Sequence, residues 1–296
     1  MTMRDAFWQR VFELAEENHN EIAVVSADMG APALDNFKRE FPHRYINTGI
    51  AEQSAILTAC GMALEGFHPF VYAIMPFVSL RCYEQVKVVA SLMNIPITIV
   101  GVGSGFSYAD SGPTHHAVED MAIMKLLPNM TVYNCSSNEM ASWLAVNSLR
   151  QASPTYIRLD RKELPDIEYE DRHPFKSGII EHKKGVKKVI ITTGAMVHKA
   201  LEIAKHKNVG VIEIFKLPFS AKTIVDMVDD KQVYVIDEHC YEGLCGSVCE
   251  AIGVNEDIHY ACLGANRYDY VYGGRDNILK HHHLDTESLI EWIQSD

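Results

Sequence analysis

The sequence predicts an α/β chain of two domains, each built around a parallel-type sheet. Two observations carry this reading: short β-branched runs alternate with helical stretches almost from end to end, and the alternation breaks once. EIAVVSAD (21–28) reads as a strand buried on both faces, and EQSAILTACGMALEG (52–66) as a helix stopped at Gly66. HPFVYAI (68–74) is strand-like, YEQVKVVASLM (83–93) helical and IPITIVGVG (95–103) strand again. EDMAIMKLLP (119–128) is a helix ended by proline, MTVYNCS (130–136) a strand, NEMASWLAVNSLRQ (138–151) a helix and PTYIRLD (154–160) a strand. Strands and helices in this order imply a parallel sheet covered on both sides.

The pattern breaks at RKELPDIEYEDRHPFKS, with two prolines, many charges and no period, so a linker is expected near residues 161–176. A second run then follows: KKVIITTG, AMVHKALEIAKH, VGVIEIF, SAKTIVDMV, QVYVIDE and GLCGSVCEAIG, closed by the helical DTESLIEWIQ. The expected division is 1–165 and 174–296.

Bulk properties narrow the function classes. Of 296 residues, 47% are hydrophobic and 22% charged, which is ordinary globular composition. Acidic residues outnumber basic ones 39 to 27, a formal net charge of −12. A field of that sign repels polyphosphate backbones and anionic lipid, so neither nucleic acid nor membrane is an expected partner. Small phosphorylated molecules remain compatible, because a local arginine pocket overrides the global field. The start MTMRDAFWQRVFELAEENHNE reads as an amphipathic helix rather than a leader, and no apolar run reaches membrane-spanning length. Seven cysteines without dense spacing do not make a disulfide framework, so cytoplasm is the expected compartment.

Three clusters carry polar chemistry, each at a predicted strand end, where doubly wound sheets gather ligands. They are NTGIAEQS (47–54), YADSGPTHHAVED (108–120) and IRLDRKEL (157–164). Glu52 opens a helix, where the dipole stabilises a carboxylate, so taken alone it reads as a capping residue. Gly112-Pro113 forces a turn that delivers Thr114 and His115 into a loop. His115 and His116 are neighbours on that loop and rarely ligate one ion in such an arrangement, so no metal site is expected there. Glu119 and Asp120 read as dipole partners of the next helix, and Arg158 as a strand-edge ion pair on the same face as Asp160. Cys240, Cys245 and Cys249 fit no zinc or redox spacing and read as small packing residues. His281 to His283 form no evident metal site.

The ordered set SADMG, GIAEQS, AIMPFVSLRCYEQV, GPTHH and an arginine after the next strand resembles the pyrimidine-binding domain of transketolases and 1-deoxyxylulose-phosphate synthases. The second run, centred on IDEHCYEGLCGSVCEAIG, is similar to their C-terminal domain. The resemblance implies a thiamine diphosphate pyrimidine-binding fold followed by a transketolase C-terminal domain. It implies that Glu52 hydrogen-bonds a ring nitrogen of the cofactor's aminopyrimidine, and so favours the tautomer that activates the thiazolium carbon. Phe77 then packs against that ring, with Ile74 and Leu80 where some relatives place further aromatics. His115 faces the sugar, while Arg161 and, near the N-terminus, Arg4 hold a phosphate. Two departures concern the donor pocket. Ser111, with Asp110 beside it, stands where many transketolases carry a substrate-binding aspartate, and Gly103 stands where many carry a histidine. Both changes are expected to thin the pocket's polar wall.

The resemblance also implies what another chain must supply. No Gly-Asp-Gly motif is present, so the cofactor's diphosphate and its Mg2+ or Ca2+ are expected on a partner, the N-terminal transketolase subunit. The expected assembly is a heterotetramer in which this chain also self-associates, transferring a two-carbon ketol unit between sugars. The alternatives are a 1-deoxyxylulose-phosphate synthase-like subunit, a 2-oxoacid dehydrogenase beta-type subunit, against which Gly-Pro-Thr-His argues, or a non-catalytic scaffold or regulatory homologue.

Overall fold

A computed structural model describes residues 1–17, 19–169, 171, 174–253, 258–263, 271 and 273–295. The first half runs α1 (Met3–Glu16), β1 (Ile22–Ser26), α2 (Asp35–Glu40), β2 (Tyr45–Asn47), α3 (Glu52–Leu64), β3 (His68–Ile74), α4 (Met75–Val78) and α5 (Tyr83–Gln85). It continues with β4 (Thr98–Val102), α6 (Asp120–Met124), β5 (Thr131–Asn134), α7 (Asn138–Ser148) and β6 (Thr155–Leu159). The second half runs β7 (Ile179–Lys183), β8 (Lys188–Thr192), α8 (Met196–His206), β9 (Gly210–Ile214), β10 (Lys216–Leu217), α9 (Ala221–Val228), β11 (Gln232–Cys240) and α10 (Leu244–Ile252). It ends with β12 (Ile258–Leu263), α11 (Arg275–His281) and α12 (Thr286–Ser295).

Two sheets result, ordered β10-β5-β6-β4-β3-β1-β2 and β12-β11-β8-β9-β7. Among the described strands every pairing is parallel except β10 with β5 and β7 with β9. The reason is legible in the strands: β1, β4, β6 and β9 are buried at every position, which only a sheet covered on both faces allows. On the first sheet, α1 and α7 cover one face through Phe7, Trp8, Met140 and Leu144. The other face is covered by α3, and its apolar core continues through α9 and α10 to the second sheet. The far side of that sheet carries α8, α11 and α12. One strand crosses between the halves: β10 pairs Lys216 with Tyr133 and Leu217 with Val132, adding to the edge of the first sheet.

Several local expectations change. The helix expected over 83–93 is α5 followed by a π-helix, Val86–Ser91, in which Leu92 N donates to Lys87 O at 2.9 Å. The helix expected over 119–128 is confined to α6, with Leu126 and Leu127 in turns before Pro128. Arg158 is not a strand-edge residue. It lies on β6, between β5 and β4, is fully buried, and its guanidinium donates to both oxygens of Asp120 at 2.7 and 3.0 Å. Asp120, at the first position of α6, is therefore also a core ion-pair partner and accepts from the Tyr156 hydroxyl at 2.7 Å. Sheet topology is the cause: a residue on an interior strand has no solvent face, so its charge must be met from the covering layer.

Asp160, at the end of β6, instead meets Arg275 at 2.6 Å, and Arg275 also grips Glu238. This buried cluster, with the Ser107 hydroxyl donating to Asp160 at 2.6 Å, ties the second half to the loop after β4. Among the cysteines, Cys240 and Cys245 are buried in the packing of α10 against its sheet. No helix of the described residues is long and apolar enough to cross a membrane.

Candidate active site

The site forms where the first sheet's parallel strands end. After β2, the loop to α3 is tied to β1: Thr48 N donates to Ser26 O and Asp28 N to Gly49 O, at 3.0 and 2.9 Å. That fixes Glu52 as the first residue of α3, with its side chain buried. No side chain caps this helix, so its exposed amide dipoles act on the carboxylate of Glu52 itself. The carboxylate also meets Arg81, whose Nη1 donates to Oε2 at 2.9 Å.

Phe77 lies on α4, the short helix that follows β3 directly. The Arg81 guanidinium sits over its ring, with Cζ 4.2 Å from the centroid. Phe77 also meets His115 edge-on, at 5.1 Å between ring centroids. His115 in turn packs against Tyr108 at 5.8 Å, and Tyr108 carries Arg161, whose Cζ is 4.6 Å from the phenol ring centroid. Glu52, Arg81, Phe77, His115, Tyr108 and Arg161 thus form one continuous row of contacts. Arg4, on the first turn of α1, approaches the far end, where burial pushes the pKa of the Tyr108 phenol up and the charges of Arg161 and Arg4 partly oppose that rise.

The loop carrying Tyr108 and His115 is held at several points. Gly105 and Ala117 exchange backbone hydrogen bonds at 3.0 Å, Ser104 is 3.2 Å from His239 Nε2, and Ser107 is bound to Asp160. Gly112, at φ 76°, makes the turn before Pro113 that only glycine adopts without strain. Thr114 Oγ1 lies 2.9 Å from His115 Nδ1. Burial, with Arg81 alongside, holds the His115 imidazole below the usual histidine range, so it is neutral near pH 7.

The other named residues fall around this row. Ile74 ends β3 and packs against the core under α1, and Leu80 is half-buried in the turn after α4. Asp110 and Ser111 are exposed on a single 3-10 turn, and neither side chain has a hydrogen-bond partner among the described residues. His116 is buried, edge-on to Phe106 at 5.1 Å. No group of three or more potential metal ligands occurs among the described residues. Sequence reading missed Arg81 and Tyr108. Arg81 had a signal, standing four residues after Phe77 where a helical turn brings side chains together.

Comparison with known proteins identifies the architecture. A family model described as transketolase, pyrimidine binding domain, matches residues 1–166. The chain belongs to the transketolase family. Over its length it is 31% identical to an apulose-4-phosphate transketolase subunit of Actinobacillus succinogenes, covering 95% of this chain and 94% of that one. It is 29% identical to a putative transketolase C-terminal section of Methanocaldococcus jannaschii, over 99% and 96%. Among solved structures, a split-gene transketolase described as an inactive beta4 tetramer superposes with a TM-score of 0.85 at 25% identity, covering 100% of this chain and 97% of that one. Single-chain 1-deoxy-D-xylulose-5-phosphate synthases match as well, and this transketolase-family chain spans about half their length. Its similarity thus extends over nearly the whole length of transketolase chains described as a subunit, a C-terminal section and a split-gene product.

The family is one of thiamine diphosphate enzymes, and Arg81 tests whether these residues suit the cofactor's aminopyrimidine ring. A planar, cationic, N–H-donating group already pairs with Glu52 and lies on the face of Phe77. Those two contacts are the ones a protonated aminopyrimidine would use, so the donor set fits.

Proposed function

We propose that this chain supplies the pyrimidine side of a thiamine diphosphate site, and the substrate-reading loop, of a transketolase. The reaction would move a two-carbon ketol unit from a phosphorylated ketose to an aldehyde. The single observation that carries this reading is the continuous row from Glu52 to Arg161, with a planar cation between Glu52 and Phe77. We take residues 1–165 as the unit bearing the row and 174–296 as the unit that braces it.

Each residue has a defined task. Glu52 accepts a hydrogen bond from the pyrimidine nitrogen, and its place at a helix start orients it. Phe77 packs the ring. The cofactor, when bound, supplies the electron sink. Neutral His115 offers a lone pair or an N–H to a substrate hydroxyl, and Arg161 with Arg4 binds the phosphate. Arg81 must leave Glu52 before the pyrimidine can take its place.

A separate N-terminal-type subunit would carry the diphosphate and its Mg2+ or Ca2+. The exposed face of the helix that begins at Glu52 supports such a partner. Leu57 and Leu64 stand two turns apart on α3 and are exposed, as are Ile50 before them and Val88, Leu92 and Met93 on the adjoining π-helix segment. Exposed apolar side chains along the helix that begins at Glu52, and on the segment adjoining it, suit a surface covered by protein. The split-gene neighbour described as an inactive beta4 tetramer supports self-association of such chains that is not sufficient for turnover.

Reconstitution with an N-terminal-type subunit, thiamine diphosphate and magnesium tests the reading. Glu52→Gln keeps the shape but cannot stabilise the protonated ring, so turnover should fall by roughly two to four decades while assembly persists. Turnover within a few-fold of wild type would refute the assignment. Use of pyruvate in place of a ketose donor would favour the 1-deoxyxylulose-phosphate synthase-like alternative.

A further inference from the structure

Gly103 stands where many relatives place a histidine, and the structure shows what fills the room. Gly103 has φ 100°, and a Cβ built there would lie 2.3 Å from both Cδ2 and Cε2 of Tyr108. A side chain at 103 and the ring of Tyr108 therefore exclude each other. The room that a polar side chain would take at 103 is filled by an aromatic ring, so the wall there is apolar rather than open. The ring is fixed by its neighbours, with His115 at 5.8 Å, Arg161 Cζ at 4.6 Å, and its backbone oxygen accepting from Ser111 N at 2.9 Å. Arg161 has no ion-pair or hydrogen-bond partner among the described residues, so Tyr108 is what orients its guanidinium.

We propose that Tyr108 is a specificity-determining residue of the substrate channel. It selects sugar phosphates that present a C–H rather than a hydroxyl to the wall between His115 and Arg161. The inference rests on the proposed function above, which sets the reacting end of the substrate near Glu52 and His115 and its phosphate at Arg161. A substrate spanning those points passes Tyr108, because both His115 and Arg161 touch its ring. Ring carbons offer no hydrogen-bond partner. A hydroxyl pressed against them loses its water without replacement, whereas a C–H gains contact. The phenol hydroxyl, held protonated by burial, can satisfy one polar group at most.

The test compares two donors in the reconstituted complex: a fully hydroxylated ketopentose 5-phosphate, and its counterpart lacking the hydroxyl next to the phosphate-bearing carbon. kcat and KM are measured separately for wild type, Tyr108→Phe, Tyr108→Ala and Gly103→Ala. The loop is anchored independently through Ser104, Gly105 and Ser107, so Tyr108→Ala should keep the fold, which a thermal melt checks. Tyr108→Ala should shift the kcat/KM ratio about tenfold or more toward the hydroxylated donor. Tyr108→Phe should keep the wild-type ratio, and Gly103→Ala, whose Cβ displaces the ring, should shift it as Tyr108→Ala does. An equal change for both donors in Tyr108→Ala would overturn the assignment, reducing Tyr108 to a support for Arg161. A Tyr108→Phe shift as large as that of Tyr108→Ala would also overturn it, since the hydroxyl rather than the ring would then read the donor. If the wild-type complex transfers from neither donor, the proposed function falls and takes this assignment with it.

Discussion

Replacing Arg81 with leucine removes the group that competes with the cofactor ring while keeping much of the side chain's apolar stem. The magnitude follows from two contacts. The pair with Glu52 joins a carboxylate side chain that is 7% exposed to a guanidinium that is 43% exposed, so it exceeds a surface pair yet falls short of a buried one. About 1–2 kcal/mol is a fair figure once solvent screening is allowed for. The cation over Phe77 adds about 0.5–1 kcal/mol. Displacing Arg81 therefore costs an incoming pyrimidine about 2 kcal/mol, and Arg81→Leu should bind thiamine about 30-fold more tightly than wild type. Chemical-shift titration of the full chain with thiamine reads this directly, since it reaches millimolar affinities. A second readout comes from His115. Arg81 is one of two causes holding its imidazole below the ordinary range, so its midpoint should rise in the variant and stay below the ordinary value through burial alone. A histidine depressed in the fold stabilises the protein above its unfolded value of about 6.5 and loses that contribution as pH falls. The acid sensitivity of Arg81→Leu should accordingly be milder. Thiamine binding equal to or weaker than wild type would refute the reasoning, and would mean that Arg81 supports the ring rather than holding its place.

Arg161→Ala should cost about 1.5–3 kcal/mol in kcat/KM for phosphorylated donors and nothing for unphosphorylated ones, measured side by side in the reconstituted complex. Asp120→Ala leaves the fully buried Arg158 uncompensated and should lower unfolding free energy by about 3–5 kcal/mol, read by urea denaturation. The double variant Asp120→Ala with Arg158→Met should recover much of that loss, because the stranded charge is gone.

The fold was legible because both sheets are covered on two sides, so their strands appear as unbroken apolar runs between helices. Glu52, Phe77, His115 and Arg161 could be named because they recur in a fixed order at strand ends, and the structure gathers them into one row. Arg81 and Tyr108 escaped because what matters about them is the face they cover, and that depends on how α4 and the loop after β4 approach each other. The ion pairs escaped for a different reason. Arg158 was paired on paper with a residue two positions away, whereas its partner Asp120 is 38 residues distant on a covering helix. Arg275, which meets Asp160 across 115 residues, gave no local sign at all. The π-helix over 86–91 is only six residues long, too short for its wider period to show in the sequence, so only the hydrogen bonds reveal it.

The strand β10 bears on how this protein could be cut. Lys216 and Leu217 cover the outer edge of β5, and Phe215 O accepts from Asn134 N at 2.9 Å beside them. A fragment ending near residue 166 would keep every residue of the row from Arg4 to Arg161. It would also expose the open edge of β5, whose last three residues are buried in the whole chain, and would leave the Asp160 carboxylate without Arg275. An uncovered apolar edge offers its unpaired amides to the next molecule, so such a fragment should form intermolecular sheet and precipitate. The stretch that the family model matches is thus a unit of descent but not a unit of solubility.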